Sequence, residues 1–92
     1  MHIKKIKLDH QFFDDVKNGA KKAEFRYNDR DYRVGDIIAL VENFGYQTTE
    51  PREIYVEITH VVYGGAYGIP VGYCMFSFEL IEIKEGDLDA VI

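Results

Sequence analysis

The sequence predicts an α+β domain that is mostly β, a small antiparallel barrel of about five to six strands with one N-terminal helix. Three observations carry that expectation. The chain has 92 residues, a length at which folding removes roughly 60–68% of the unfolded surface from water and a second core is out of reach, so residues 1–92 form a single domain. Only one segment, near the N-terminus, has the 3.6-residue period of a helix. The remaining apolar runs have the two-residue period of strands and are joined by turn residues rather than by crossover helices, and a sheet so small and twisted usually closes on itself to hide its edges.

"HIKKIKL" sets Ile3 apart from Ile6 and Leu8 with lysines between them, a weak strand pattern with an irregularity. In "LDHQFFDDVKNGA" the signals are sharper. Asp9 is an N-cap whose carboxylate can accept from the free amides of the first turn, and Leu8 can staple to Phe13. Phe12, Phe13 and Val16 share one face, Lys17 sits late, and Gly19 supplies a left-handed C-cap, so a helix of about ten residues is expected. From Lys22 to Tyr27 the period drops to two: Ala23, Phe25 and Tyr27 point one way, Lys22, Glu24 and Arg26 the other. "NDRDY" and "VGD" carry turn chemistry, "IIALVEN" reads as a strand buried on both faces, and "FGYQTTEPR" reads as a loop. The two longest strands follow. One turns Ile54, Val56 and Ile58 inward against Tyr55, Glu57 and Thr59; the other alternates Cys74, Phe76, Phe78 and Leu80, with "GGAYGIPVG" as a glycine-rich connection between them. The tail, residues 84–92, has no firm pattern and is expected to fray.

Composition narrows the function classes. Cys74 is the single cysteine, so no internal disulfide can form, no metal-ligand spacing exists, and a reducing, cytoplasmic setting with no metal or cofactor is expected. The N-terminus lacks the unbroken apolar run of a signal peptide, and no stretch is long enough to span a bilayer, so no membrane partner is expected. Charge is uneven. Residues 1–34 hold nine Lys/Arg against six Asp/Glu and residues 35–92 two against ten, which gives the net charge of −5. The basic third of an acidic chain is where an anionic partner would be met.

That basic third contains Gly19-Ala20-Lys21-Lys22-Ala23-Glu24-Phe25-Arg26, a G-x-K-x-x-E-x-R pattern at a helix-to-strand junction. Two readings stand together. Glu24 and Arg26, about 6.6 Å apart along one strand face, can converge with Lys21 and Lys22 on one ligand, cations toward phosphate and the carboxylate toward an exocyclic amine. The same residues can instead form a cross-strand ion-pair network that binds nothing. Arg30, Asp31 and Arg33 read as turn-stabilising, His60 as a packed strand histidine, and His2 and His10 as lying at the surface ends of elements. Tyr63, Tyr67 and Tyr73 flank the glycine-rich connection and can either stack a base, with Tyr67 best placed to do so, or simply close the core at the barrel mouth.

The pattern, continued by Arg26, Asn28, Asp29, Arg30, Asp31, Val34, Gly35 and Asp36, resembles the ASCH domain of the PUA-like β-barrel superfamily, and within it a branch of short bacterial and phage proteins of unassigned function. The resemblance implies a small barrel with a cleft beside the motif and an RNA or nucleoside ligand; read together with the residues themselves, the expected ligand-binding set is Lys21, Lys22, Glu24, Arg26 and Tyr67. One ASCH branch removes the acetyl group from N4-acetylcytidine with a lysine, a threonine and a glutamate. Lys21 matches that lysine, but Glu24 stands where the threonine nucleophile belongs, so a non-enzymatic RNA- or nucleotide-binding module is expected. The alternatives are an amidohydrolase on an acylated nucleoside, with Lys21 and Glu24 as its catalytic pair, and a small protein-interaction or phage accessory factor.

Overall fold

The structure, a computed structural model, describes residues 3–83. His2 and the tail expected to fray lie outside the described residues. In chain order the elements are β1 (Ile3–Asp9), α1 (His10–Lys17), β2 (Ala23–Tyr27), β3 (Ile37–Asn43), β4 (Glu53–Tyr63) and β5 (Tyr73–Ile81). The strands form one sheet in the order β1-β3-β4-β5-β2, curled into a half-barrel with a single helix. Its two edges are β1 and β2.

Three of the four strand pairings are antiparallel, as the turn-rich connections imply. The fourth is not: β1 runs parallel to β3, with Ile6 opposite Leu40 and Leu8 opposite Glu42. A parallel pair needs a long crossover, usually helical. Here α1 and β2 together supply it, carrying the chain to the far edge of the sheet before β3 returns beside β1.

Local chemistry sets the helix. Asp9 accepts from Gln11 N at 3.1 Å, and the helix ends at Asn18, followed by Gly19 at φ 85°. Phe13 and Val16 are buried by this face, whereas Phe12 is exposed and lies beneath the Lys21 ammonium, 5.8 Å from the ring centre. The core gathers Ile6 and Leu8 from β1, Phe13 and Val16 from α1, Ile38 and Leu40 from β3, Val56 and Ile58 from β4, and Cys74, Phe76 and Phe78 from β5. The inward residues of β4 and β5 follow their alternation except for Leu80, which is exposed. A bulge between Ile58 and His60 shifts the β4–β5 register and leaves His60 exposed opposite Ser77 rather than packed.

Tyr32 completes the core from within the expected turn segment, its ring 5.0 Å from that of Phe76. Burial pushes its hydroxyl up from the usual 10.0, with Arg26 opposing. The rest of the segment holds Tyr32 in place. Asn28 Oδ1 accepts from Tyr32 N at 2.9 Å, Asp36 Oδ2 accepts from Arg33 N at 2.8 Å, and Tyr63 donates its hydroxyl to Tyr32 O at 2.8 Å. At the start of β4–β5 turning, Gly64 permits a close approach that no other residue could make: a Cβ there would lie 1.9 Å from the Pro70 carbonyl oxygen.

One buried carboxylate fastens the helix to the sheet. Glu42, read from sequence only as part of an apolar strand, takes a bidentate hold from Arg52 at 2.9 and 2.7 Å, and Arg52 also reaches Asp14 at 2.9 Å and covers the Phe13 ring. The Arg52 hydrogen bonds hold the Glu42 carboxyl below its ordinary 4.5. A folded-state value that is depressed adds stability above pH 4.5, where both states are ionised, and that stability is lost as pH falls and the unfolded chain takes up its proton first. The melting temperature of Glu42→Gln should therefore lie below that of the wild type at pH 7, and the gap should close as pH is lowered below 4.5. A gap that persists undiminished at pH 3 would show that charge is not what Glu42 contributes.

Candidate functional site

β2 presents its faces in an order that alternation alone does not reveal. Its charged face points in and its aromatic face points out: Glu24 is 7% exposed, while Phe25 is 53% and Tyr27 59% exposed. The reason lies at the edge of the sheet. β2 pairs only with β5, so its other side meets the gap that leads to β1, and polar side chains can bridge a gap that no backbone rung spans.

Glu24 is the centre of that bridge. Its Oε1 accepts from Lys21 Nζ at 2.7 Å and its Oε2 from Arg26 Nε at 2.8 Å. Lys21 also donates to Ala23 O, and Arg26 donates through Nη2 to Lys7 O. Lys7 belongs to the opposite edge strand, so its carbonyl has no sheet partner on that side, and Arg26 stands in for the missing rung. Among the described residues no buried side-chain polar atom lacks a partner.

The seam between the edges opens into a cleft of about 410 Å³ lined by Lys5, Lys7, Arg26 and Arg30, with Ile6, Tyr32 and Val41 as apolar lining and, among the described residues, Asp29 as its only carboxylate. Lys5 is paired with Glu53 and Arg26 with Glu24; among the described residues Lys7 and Arg30 have no carboxylate partner. A second cleft of about 560 Å³ shares Lys7 and Val41 with the first and continues along the loop after β3 past Asn43, Tyr46, Gln47 and Thr48. A third, about 550 Å³, lies on the other side of the brace between Gly19, Lys21, Lys22, Thr59, Ser77 and Glu79.

The sequence-expected site is thus divided. Arg26 lines the seam cleft, Lys21 and Lys22 line the third cleft, and Glu24 sits between them with both oxygens engaged. Tyr67 stands at φ 55°, 92% exposed, and lines none of the three clefts. Arg30 enters the seam cleft although its surroundings are turn scaffolding, because burial of Tyr32 draws the segment across the gap. Lys5 and Lys7 carried too weak a strand pattern to be singled out, and only the parallel pairing with β3 turns them toward the cleft. On the outer face Phe25 stacks on Tyr73 at 5.4 Å and Tyr27 meets Tyr73 edge-on at 5.3 Å. Among the described residues no three His, Cys, Asp or Glu side chains are grouped to hold a metal ion, and no helix is long and apolar enough to cross a membrane.

Fold and seam together define a class of small, mostly β domains: one sheet curled until its edge strands are bridged by side chains beside a cationic cleft. Within it, the chain belongs to the family described as Domain of unknown function (DUF3850), whose model matches residues 3–78. Over 40 residues it is 48% identical to an uncharacterized 12.9 kDa protein in the GpA 3'region of Escherichia phage P2. The matched stretch is 44% of this chain and 37% of the phage protein, so the chain spans well under two thirds of that relative.

Proposed function

We propose that the domain is a binding module for RNA or a nucleotide, and that its phosphate-binding element is the seam cleft. The observation that supports this most is the convergence of Lys5, Lys7, Arg26 and Arg30 on one open cleft that, among the described residues, Asp29 alone lines with a carboxylate, in a chain of net charge −5. Cations gathered against the overall charge of a protein create a local positive potential suited to phosphate, and guanidinium groups suit it in geometry as well as charge. The resemblance to PUA-like domains supports the same reading, and the single cysteine, Cys74, suits a cytoplasmic setting.

Hydrolysis is less well served. Both oxygens of Glu24 already accept from cations, Lys21 and Arg26, so a proton taken up on either would compete with the brace. A protein-interaction role would use the exposed Phe25, Tyr27 and Tyr73 surface instead.

If four cations meet phosphates of single-stranded RNA, log K should fall with log salt at a slope of about −3. Replacing both Lys7 and Arg30 by alanine should lower affinity about tenfold and bring the slope to about −1.5, with little effect on folding because neither side chain is paired among the described residues. Fluorescence anisotropy with labelled oligoribonucleotides over a salt series reads both quantities. Absence of binding, or binding indifferent to salt and to the double substitution, sinks the reading; in that case loss of partner capture by Phe25→Ser would favour a protein-interaction module.

A further inference from the structure

We infer that the second cleft is a nucleobase subsite, so that the ligand is a single-stranded nucleic acid running from the seam cleft, which takes phosphate, into the cleft beside Tyr46, which takes a base. The inference rests on the reading of the seam cleft as a phosphate site. It is carried by the chemical contrast between two clefts that adjoin.

The two share Lys7 and Val41 in their linings, so they lie side by side. The seam cleft gathers four cations beside its apolar lining. Among the described residues the second cleft has Lys7 as its only lining cation, and the carboxylate that lines it, Glu42, accepts from Arg52 at both oxygens. What it offers instead are neutral groups: the amides of Asn43 and Gln47 and the hydroxyl of Thr48. Asn43 spends its Oδ1 on Gly45 N at 3.2 Å, which leaves its amide nitrogen to donate. Amides and hydroxyls both donate and accept, as the edges of bases do, whereas an ionic lining would favour phosphate.

A stacking surface stands at the same place. His10 stacks on Phe44 with ring centres 4.6 Å apart and planes 18° apart, and Phe44 in turn contacts Tyr46 at 5.8 Å and 30°. Two rings in series, Phe44 and behind it His10, support Tyr46 from one side, and Tyr46 itself is 70% exposed. A tyrosine backed in this way loses little freedom when a base is laid on it, and stacking accepts any base. Single-stranded binders combine a cationic track with such an aromatic platform.

The test compares a mixed-sequence, eight-nucleotide oligoribonucleotide with inorganic tripolyphosphate, which has the phosphates and no base, by calorimetry on the wild type, Tyr46→Ala, Tyr46→Phe and the Lys7→Ala/Arg30→Ala pair. Tyr46→Ala should weaken the oligonucleotide about tenfold or more and leave tripolyphosphate within twofold, while Tyr46→Phe should restore the oligonucleotide. The exposure of Tyr46 keeps the variants folded. Equal oligonucleotide affinity for wild type and Tyr46→Ala, with the cation pair still weakened, overturns the base subsite and leaves the phosphate cleft standing. Failure of the wild type to bind the oligonucleotide overturns both.

Discussion

Glu24→Ala should lower the free energy of unfolding by about 3 kcal/mol and the melting temperature by roughly 12–24 °C, read by thermal denaturation at neutral pH. The carboxylate is buried and accepts from two cations on opposite sides, so truncation leaves Lys21 and Arg26 converging on a space that holds no anion. Removing one member of a buried pair costs about 3–5 kcal/mol because the other charge is left without compensation. The lower end applies here, since the cations' side chains retain 23% and 26% of their exposure and can draw in water. Glu24→Gln, which keeps the shape and one acceptor but not the charge, should fall between wild type and Glu24→Ala. A loss below about 1 kcal/mol for Glu24→Ala would place the network among ordinary surface ion pairs and remove the physical basis for treating it as a brace.

The same residue shows how far the sequence can be read. The alternation from Lys22 to Tyr27 identifies a strand correctly, but a period of two does not say which face is inside. Burial normally selects the apolar face; at β2 the unpaired edge selects the charged one, and that depends on where the strand stands in the sheet. The Asp9 cap, the Gly19 terminus and the inward residues Val56, Ile58, Cys74, Phe76 and Phe78 were legible because they depend on local dihedrals or on a long strand buried on one face. The parallel β1–β3 pair was not, since its crossover is assembled from a helix and a strand that each look like ordinary neighbours. The candidate site inherits this division. Arg26 is visible in the motif, but Lys5, Lys7 and Arg30 become its companions only once the two ends of the sheet order come together, and no spacing in the sequence encodes that meeting.

Arg26→Ala should act on stability and binding together. Loss of the guanidinium removes one of the two donors to Glu24 and leaves Lys7 O without its partner across the seam. An orphaned acceptor costs about 1–3 kcal/mol and a half-stripped buried carboxylate about as much again, so a total of about 3 kcal/mol is expected, with Lys21 still holding one oxygen. The loss should be localised. Because Arg26 is the described hydrogen-bonded link between the edge strands, amide hydrogen exchange should rise in β1 and β2 ahead of β4 and β5. Oligoribonucleotide affinity should fall tenfold or more, since a cation leaves the cleft and the cleft loses its shape as well. Two companions separate these effects. Arg30→Ala should weaken binding with unchanged exchange in β1, because its side chain closes nothing. Arg26→Lys keeps the charge, but a single ammonium cannot reproduce the fork that holds Glu24 and Lys7 O at once, so it should keep the salt dependence of binding while losing much of the edge protection. Unchanged β1 exchange in Arg26→Ala would mean that the half-barrel holds its shape without the bridge, and that Arg26 belongs to the ligand alone.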